Sequence, residues 1–281
     1  MSKKQRSGNA VFADQQSGIK KTNVMKEDFG FDVPVELVPL PSGGIVYPLD
    51  SPLSGQNAIE VRAMTAREED ILTSKALIKK GTVITHLIKS CLTNKDIDVK
   101  NMLSGDRNAL MVGLRVTGYG SDYTCEVECP VCEHRSKQTF NLTDLPVKQL
   151  KIDPITEGKN LFSFELPLTK KTVEFRFLTG KDEEEIMITN DRKKKSGFTG
   201  SNLITTRLMY CVASVDGITD KSKVSGFIRN MPARDSLALR KYMDEHEPGV
   251  DMKSWMDCPG CYDQSEVRLP LGATFFWPDA E

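Results

Sequence analysis

Two copies of one short motif dictate how this chain must close on itself. Cys129-Pro130-Val131-Cys132 and Cys258-Pro259-Gly260-Cys261 each set two thiols three positions apart. That spacing lets both sulfurs of one turn face a common ion. A tetrahedral ion takes four such ligands, so two turns are needed. The two units are separated by the 125 residues between Cys132 and Cys258. If they share an ion, the intervening residues form an insertion, and two remote segments must meet in space.

The compartment expected from the sequence favours metal over disulfide. The first residues, MSKKQRSGNAVFADQQSGIKKTNVMKED, are basic but lack the apolar core of about 7–15 residues that a secretory leader requires. No apolar run reaches the roughly 18 residues of a membrane span. A cytosolic protein keeps its thiols reduced, and paired cysteines there more often hold metal. Structural zinc on Cys129, Cys132, Cys258 and Cys261 is therefore the expected cofactor. A redox dithiol or two unrelated surface turns are the alternatives. One departure from the usual pattern is that Glu133 and Tyr262, rather than glycine, follow the second cysteine of each unit.

The flanking sequence alternates as strands do. SDYTCEVE leads into the first unit and RSKQTFNL leads away from it, while SEVRLPL follows the second. Before them, a polar segment over 1–33 carries too little apolar content to order itself, and VELVPLPSGGIVYPLDSPL reads as an extended arm bent at Pro41–Gly44. Thr65 and Glu68 form a capping box that predicts a helix start, with Gly81 as its stop and Thr82 as the next cap. GDRNALMVGLRVTGYG continues the helical unit. Between the cysteine units, NLFSFELPLTKKTVEFRFLTG predicts a hairpin, and KDEEEIMITNDRKKK, SNLITTRLMYC, VSGFIRNM and PARDSLALRKYMDEH predict helices. The expected fold is α+β: a helical N-terminal unit plus a zinc-ribbon-like module split by an inserted β-hairpin and helix unit. Its expected segments are a tail over 1–33, arm and helices over 34–121, ribbon halves over 122–142 and 251–281, and an insertion over 143–250.

No catalytic constellation emerges from the residues. A nucleophile needs a nearby base and an orienting group, and His86, His134 and His246 stand in three separate contexts. Gly180-Lys181 lacks the rest of a phosphate loop, and Glu183, Glu184 and Glu185 read as a solvated helix face. Cys91, Cys125 and Cys211 read as packing residues and His134 as a turn-surface residue. The aromatic end, Phe275, Phe276 and Trp277, is a candidate partner-binding site or a closure of the core. Lys plus Arg number 38 against 39 Asp plus Glu, so no overall basic field favours nucleic acid or a membrane.

Several stretches taken together, EVRAMTAREEDIL, LIKKGTVI, GDRNALMVGLRVTGYG, ECPVCEH, FRFLTGKDEEE, ARDSLALRKYMDEHEPGVD and LPLGATFFWP, resemble the T4-type bacteriophage baseplate proteins described as hub subunits or hub assembly chaperones. The resemblance runs in order over roughly residues 35–278. It implies a non-catalytic tail-assembly protein that binds hub or tape-measure proteins, acts in the host cytoplasm or in the virion tail, and takes no small-molecule substrate. The rival class is a nucleic-acid-binding zinc ribbon. It needs a basic face at the metal turns, whereas Glu126, Glu128, Glu133, Asp257, Asp263 and Glu266 outnumber Arg135, Lys137 and Arg268 there.

Overall fold

The computed structural model of the chain describes residues 33–195, 203–271 and 273–276. The expected tail, apart from Val33, and Trp277 lie outside them. Strand β1 (Val35–Pro39) pairs antiparallel with β2 (Ala58–Arg62), with Val38 opposite Ile59. The apolar stretch after Pro41–Gly44 forms successive turns and not the second limb of an extended arm; β1 takes β2 as its partner instead.

The capping box at Thr65 starts helix α1 (Ala66–Thr73), as its residues predict. Glu68 does more than cap. Its carboxylate also accepts from both terminal Arg62 guanidinium nitrogens, at 2.6 and 2.9 Å, and from the Ser90 hydroxyl. The helix does not run on to Gly81. Ser74 leaves the helical region (ψ 102°) and splits off α2 (Lys75–Lys80). Packing explains the break: α1 buries Leu72 fully, whereas α2 reaches the core only through the partly buried Leu77, so the chain bends to keep the first on the core and lay the second along the surface. Gly81 ends α2 in the left-handed conformation (φ 70°), and α3 (Val83–Cys91) follows. Thr82 stands at the cap position of α3, yet its hydroxyl is buried without a hydrogen-bond partner among the described residues.

Helix α4 (Ser104–Tyr119) is the beam of the structure. Near its start, the buried Asp106 carboxylate accepts hydrogen bonds from Ser42 N, Ser42 Oγ and Tyr47 Oη at 2.9, 2.6 and 2.5 Å, which fixes the Pro41–Gly44 turn. Near its end, Arg115 is 1% exposed and donates to three backbone carbonyls, of Gly120, Asp122 and Phe275. A buried guanidinium is tolerated only when such acceptors replace water.

Strands β3 (Asp122–Glu128) and β4 (Arg135–Asn141) form the first cysteine hairpin. The short β5 (Val147–Lys148) pairs with the later β9 (Gly249–Val250). Strands β6 (Phe162–Glu165), β7 (Thr172–Phe175) and β8 (Val212–Val215) make a three-stranded antiparallel sheet in that order. Phe162 lies opposite Phe175, and with Phe177 they pack at ring separations of 5.0–5.7 Å. Burying each phenyl stabilises by about 1.5–3 kcal/mol. Helices α5 (Gly180–Lys195), α6 (Leu203–Cys211), α7 (Lys221–Asn230) and α8 (Ala233–His246) surround this sheet. On α5 the acidic run is not merely solvated, since Glu184 accepts from the Thr85 hydroxyl of α3. Strands β10 (Lys253–Asp257) and β11 (Gln264–Arg268) form the second cysteine hairpin. All segments feed one apolar core, from Val38 through Leu110 and Phe175 to Phe275.

Candidate metal centre

Two contacts with α4 explain why remote cysteine units meet. At its far end the helix runs through Gly120 into β3, where Arg115 holds the carbonyls of Gly120 and Asp122. At its near end Gly105 lies so close to Pro248 that an added Cβ would fall 1.7 Å from the Pro248 carbonyl oxygen. This close approach seats β9, which leads directly into β10. The bases of the two hairpins are then joined: Tyr123 Oη of β3 donates to the Pro270 carbonyl just beyond β11, and the Tyr123 ring meets Phe275 edge-on at 4.8 Å. With the bases fixed, the turns carrying the cysteines come together at the other end.

The two turns repeat each other bond for bond. Glu133 N donates to the Cys129 carbonyl at 2.9 Å, and Tyr262 N donates to the Cys258 carbonyl at 2.9 Å. Likewise Cys129 N donates to the His134 carbonyl and Cys258 N to that of Asp263, at 2.9 and 3.0 Å. Glu133 and Tyr262 both adopt positive φ, 59° and 61°, in the place where the sequence lacks the expected glycine. Backbone amides also turn toward sulfur, as with Gly260 N to Cys258 Sγ at 3.3 Å. The first cysteine of each turn is buried, while Cys132 is exposed and Cys261 half-buried.

Across the turns, Cys129 Sγ lies 3.8 Å from Cys261 Sγ and Cys132 Sγ 3.5 Å from Cys258 Sγ, and all four sulfurs fall within 4.8 Å of one another. A tetrahedral ion with metal–sulfur bonds of about 2.3 Å keeps its sulfurs about 3.8 Å apart. The donor set and the spacing therefore fit a metal ion. Electrostatics agree. The N–H groups of Cys132 and Val131 pull the Cys129 thiol down to about 6. Against the lowering effect of the Asp263 N–H, desolvation and the neighbouring thiols of Cys132, Cys258 and Cys129 push Cys261 up to about 12. The Cys129 thiolate forms readily while Cys132 and Cys261 resist, which is how crowded thiols behave until a cation compensates them.

The other sequence candidates lie elsewhere. Cys125 is half-buried on β3, and burial pushes its thiol up to about 11. Cys91 and Cys211 are wholly buried, and desolvation raises both to about 12, which leaves them unreactive. His134 is exposed and lies against Gly260, where an added Cβ would come 2.9 Å from its ring. Phe275 and Phe276 are enclosed by the chain itself, both at 0% exposure, so the structure places them in the core and not at a surface. Among the described residues, the aromatic side chains that stay outside are those of Tyr262 and Trp255, and sequence reasoning did not single out Trp255. Its alternation with buried Met256 on β10 was the available signal.

Residues 45–277 match the family described as T4 bacteriophage base plate protein. The chain belongs to that family. No curated protein and no solved structure matched the baseplate chain. Among its described residues, no helix is long and apolar enough to cross a membrane.

Proposed function

We propose that this baseplate protein is a non-catalytic tail-morphogenesis factor, a hub assembly chaperone or hub subunit, whose fold is stapled by one zinc ion in a split zinc ribbon. Its partners are other baseplate proteins, with hub and tape-measure components first among them. It acts in the host cytoplasm during assembly, and a transient role is favoured over permanent residence in the tail. The observation that carries this reading is the family membership over residues 45–277. The donor chemistry supports a structural ion: Cys129, Cys132, Cys258 and Cys261 supply four thiolates, which fill a tetrahedral shell and leave no position for substrate. Zinc bound there would join two segments held otherwise by packing and by the Tyr123–Pro270 hydrogen bond at their bases.

Deletion of the gene is expected to stop baseplate completion while heads still form. Mass spectrometry of purified virions then separates the two versions: a fixed integer copy number per tail identifies a subunit, and absence identifies a chaperone. Normal tails from the deletion phage would reject both.

A further inference from the structure

The two cysteine hairpins are near-copies in backbone, and that makes one an internal reference for the other. The outward face of β3–β4 is polar throughout, with Thr124 opposite Thr139 and Glu126 opposite Lys137. The outward face of β10–β11 differs. It presents Trp255, 62% exposed, directly opposite Glu266. The turns differ in the same sense. The residue after each second cysteine has positive φ; the first turn places Glu133 there, and the second places Tyr262, 88% exposed. Val131 at the tip of the first turn adds a third exposed apolar side chain at 60%. Trp255 stands three residues before Cys258, a strand distance of about 10 Å, and Tyr262 adjoins Cys261. These side chains are therefore borne on the two hairpins that the proposed zinc ion would staple together.

Large aromatic side chains on a rigid base are what binding hot spots are made of, because ordering them on association costs little entropy. Exposure of this kind has no role in the chain's own packing, since Met256 and Val267 on the opposite face already supply the core contacts. Charge indicates the occupant. Arg135 is paired with Glu128 and Lys253 with Glu266, whereas Glu133, Asp257 and Asp263 enter no ion pair among the described residues. The apolar tip thus has an acidic rim. Phosphate backbones and anionic lipid surfaces are repelled by it, and a second copy docked symmetrically would set acid against acid.

We infer that the metal-bearing end of the molecule, centred on Trp255 and Tyr262 with Val131 beside them, is the docking surface for a partner protein that presents an apolar socket rimmed by Lys and Arg. The inference rests on the assembly reading above and names the face that carries it.

The test places the photocrosslinking residue benzoylphenylalanine at position 255, at 262 and, as a control, at Thr124, in protein supplied to cells infected with the deletion phage. Positions 255 and 262 are expected to link to one and the same phage protein, at a peptide containing Lys or Arg, while position 124 does not. Against that purified protein, the Trp255→Ala, Tyr262→Ala variant should bind about 30-fold more weakly or worse. Its zinc content and melting temperature should stay those of the parent, because neither side chain is buried. Links to a second copy of this chain, to nucleic acid or from position 124 alone, or no links at all, would overturn the inference. So would normal tails in deletion phage complemented by the double variant, and that result leaves the assembly reading standing. Normal tails without any complementation would remove the assembly reading itself.

Discussion

Glu133 and Tyr262 show how a single backbone angle can be dictated from outside the residue. Each is forced to φ near 60° by the two backbone hydrogen bonds that close its cysteine turn, a conformation that costs an L-residue about 1–2 kcal/mol. Glu133→Gly should therefore stabilise the zinc-loaded protein by about 0.5–1 kcal/mol, after the extra freedom glycine gains when unfolded. Tyr262→Gly should do the same while losing the partner; denaturant melts and binding measured side by side read the two effects. Glu68 gives a second residue-scale expectation. Burial alone would raise its carboxyl, but hydrogen bonds from Arg62, Ser90 and Thr65 outweigh this and hold it at about 2 instead of 4.5. The folded value is depressed, so its contribution is complete above pH 4.5 and is lost as pH falls toward 2. The full amount is about 3 kcal/mol. Acid unfolding followed by circular dichroism should show this loss in the parent and not in Glu68→Gln, which starts lower at neutral pH.

Among the elements, α4 decides most. It carries Asp106 toward the Pro41–Gly44 turn, Arg115 toward β3 and the C-terminal segment, and Gly105 against Pro248. The last contact is the one a small change would break. Gly105→Ala puts a methyl group into the Pro248 carbonyl, and moving β9 away should cost about 2–3 kcal/mol. Gly226, inside α7, has open space around its Cβ position. Gly226→Ala should stabilise by about 0.5–1 kcal/mol through helix propensity alone. Opposite signs for the same substitution in two helices, measured by thermal melts, would separate close approach from propensity. Equal signs would show that α4 and β9 do not meet as closely as described.

Across the whole molecule, the candidate zinc site is a staple laid over a core that is already continuous. Phe275, Tyr123, Leu110 and Phe175 belong to one apolar cluster in which Cys129 and Cys258 are only two members among many. Chelation should therefore loosen part of the fold without dissolving it. Hydrogen exchange is expected to speed up in β3–β4 and β10–β11 and to stay slow in α4. Serine at any one of Cys129, Cys132, Cys258 or Cys261 should lower zinc content, with a stability loss on the order of 4 kcal/mol, whereas Cys125→Ser should leave zinc content unchanged. Full zinc occupancy in Cys258→Ser, Cys261→Ser protein would show that the two turns do not share an ion.

The chain's local choices were legible in its residues because they depend on neighbours a few positions away. Thr65 with Glu68 announced α1, Gly81 stopped α2, alternation at Phe162, Phe164 and Val173, Phe175 produced the β6–β7 pair, and the doubled Cys-Pro-x-Cys spacing identified the four cysteines that come together. What the sequence left open depended on distant partners. The break at Ser74 follows from which helix reaches the core, and the pairing of β1 with β2 overrides the apolar pattern after Gly44. The fate of the aromatic residues was decided in the same way. Phe275 is buried because Arg115, 160 positions away, takes its carbonyl and Tyr123 takes its ring, while Trp255 is left outside because Met256 already fills the inward position of its strand. Local sequence sets the period of burial along an element, but which face meets the core is fixed only when the elements pack.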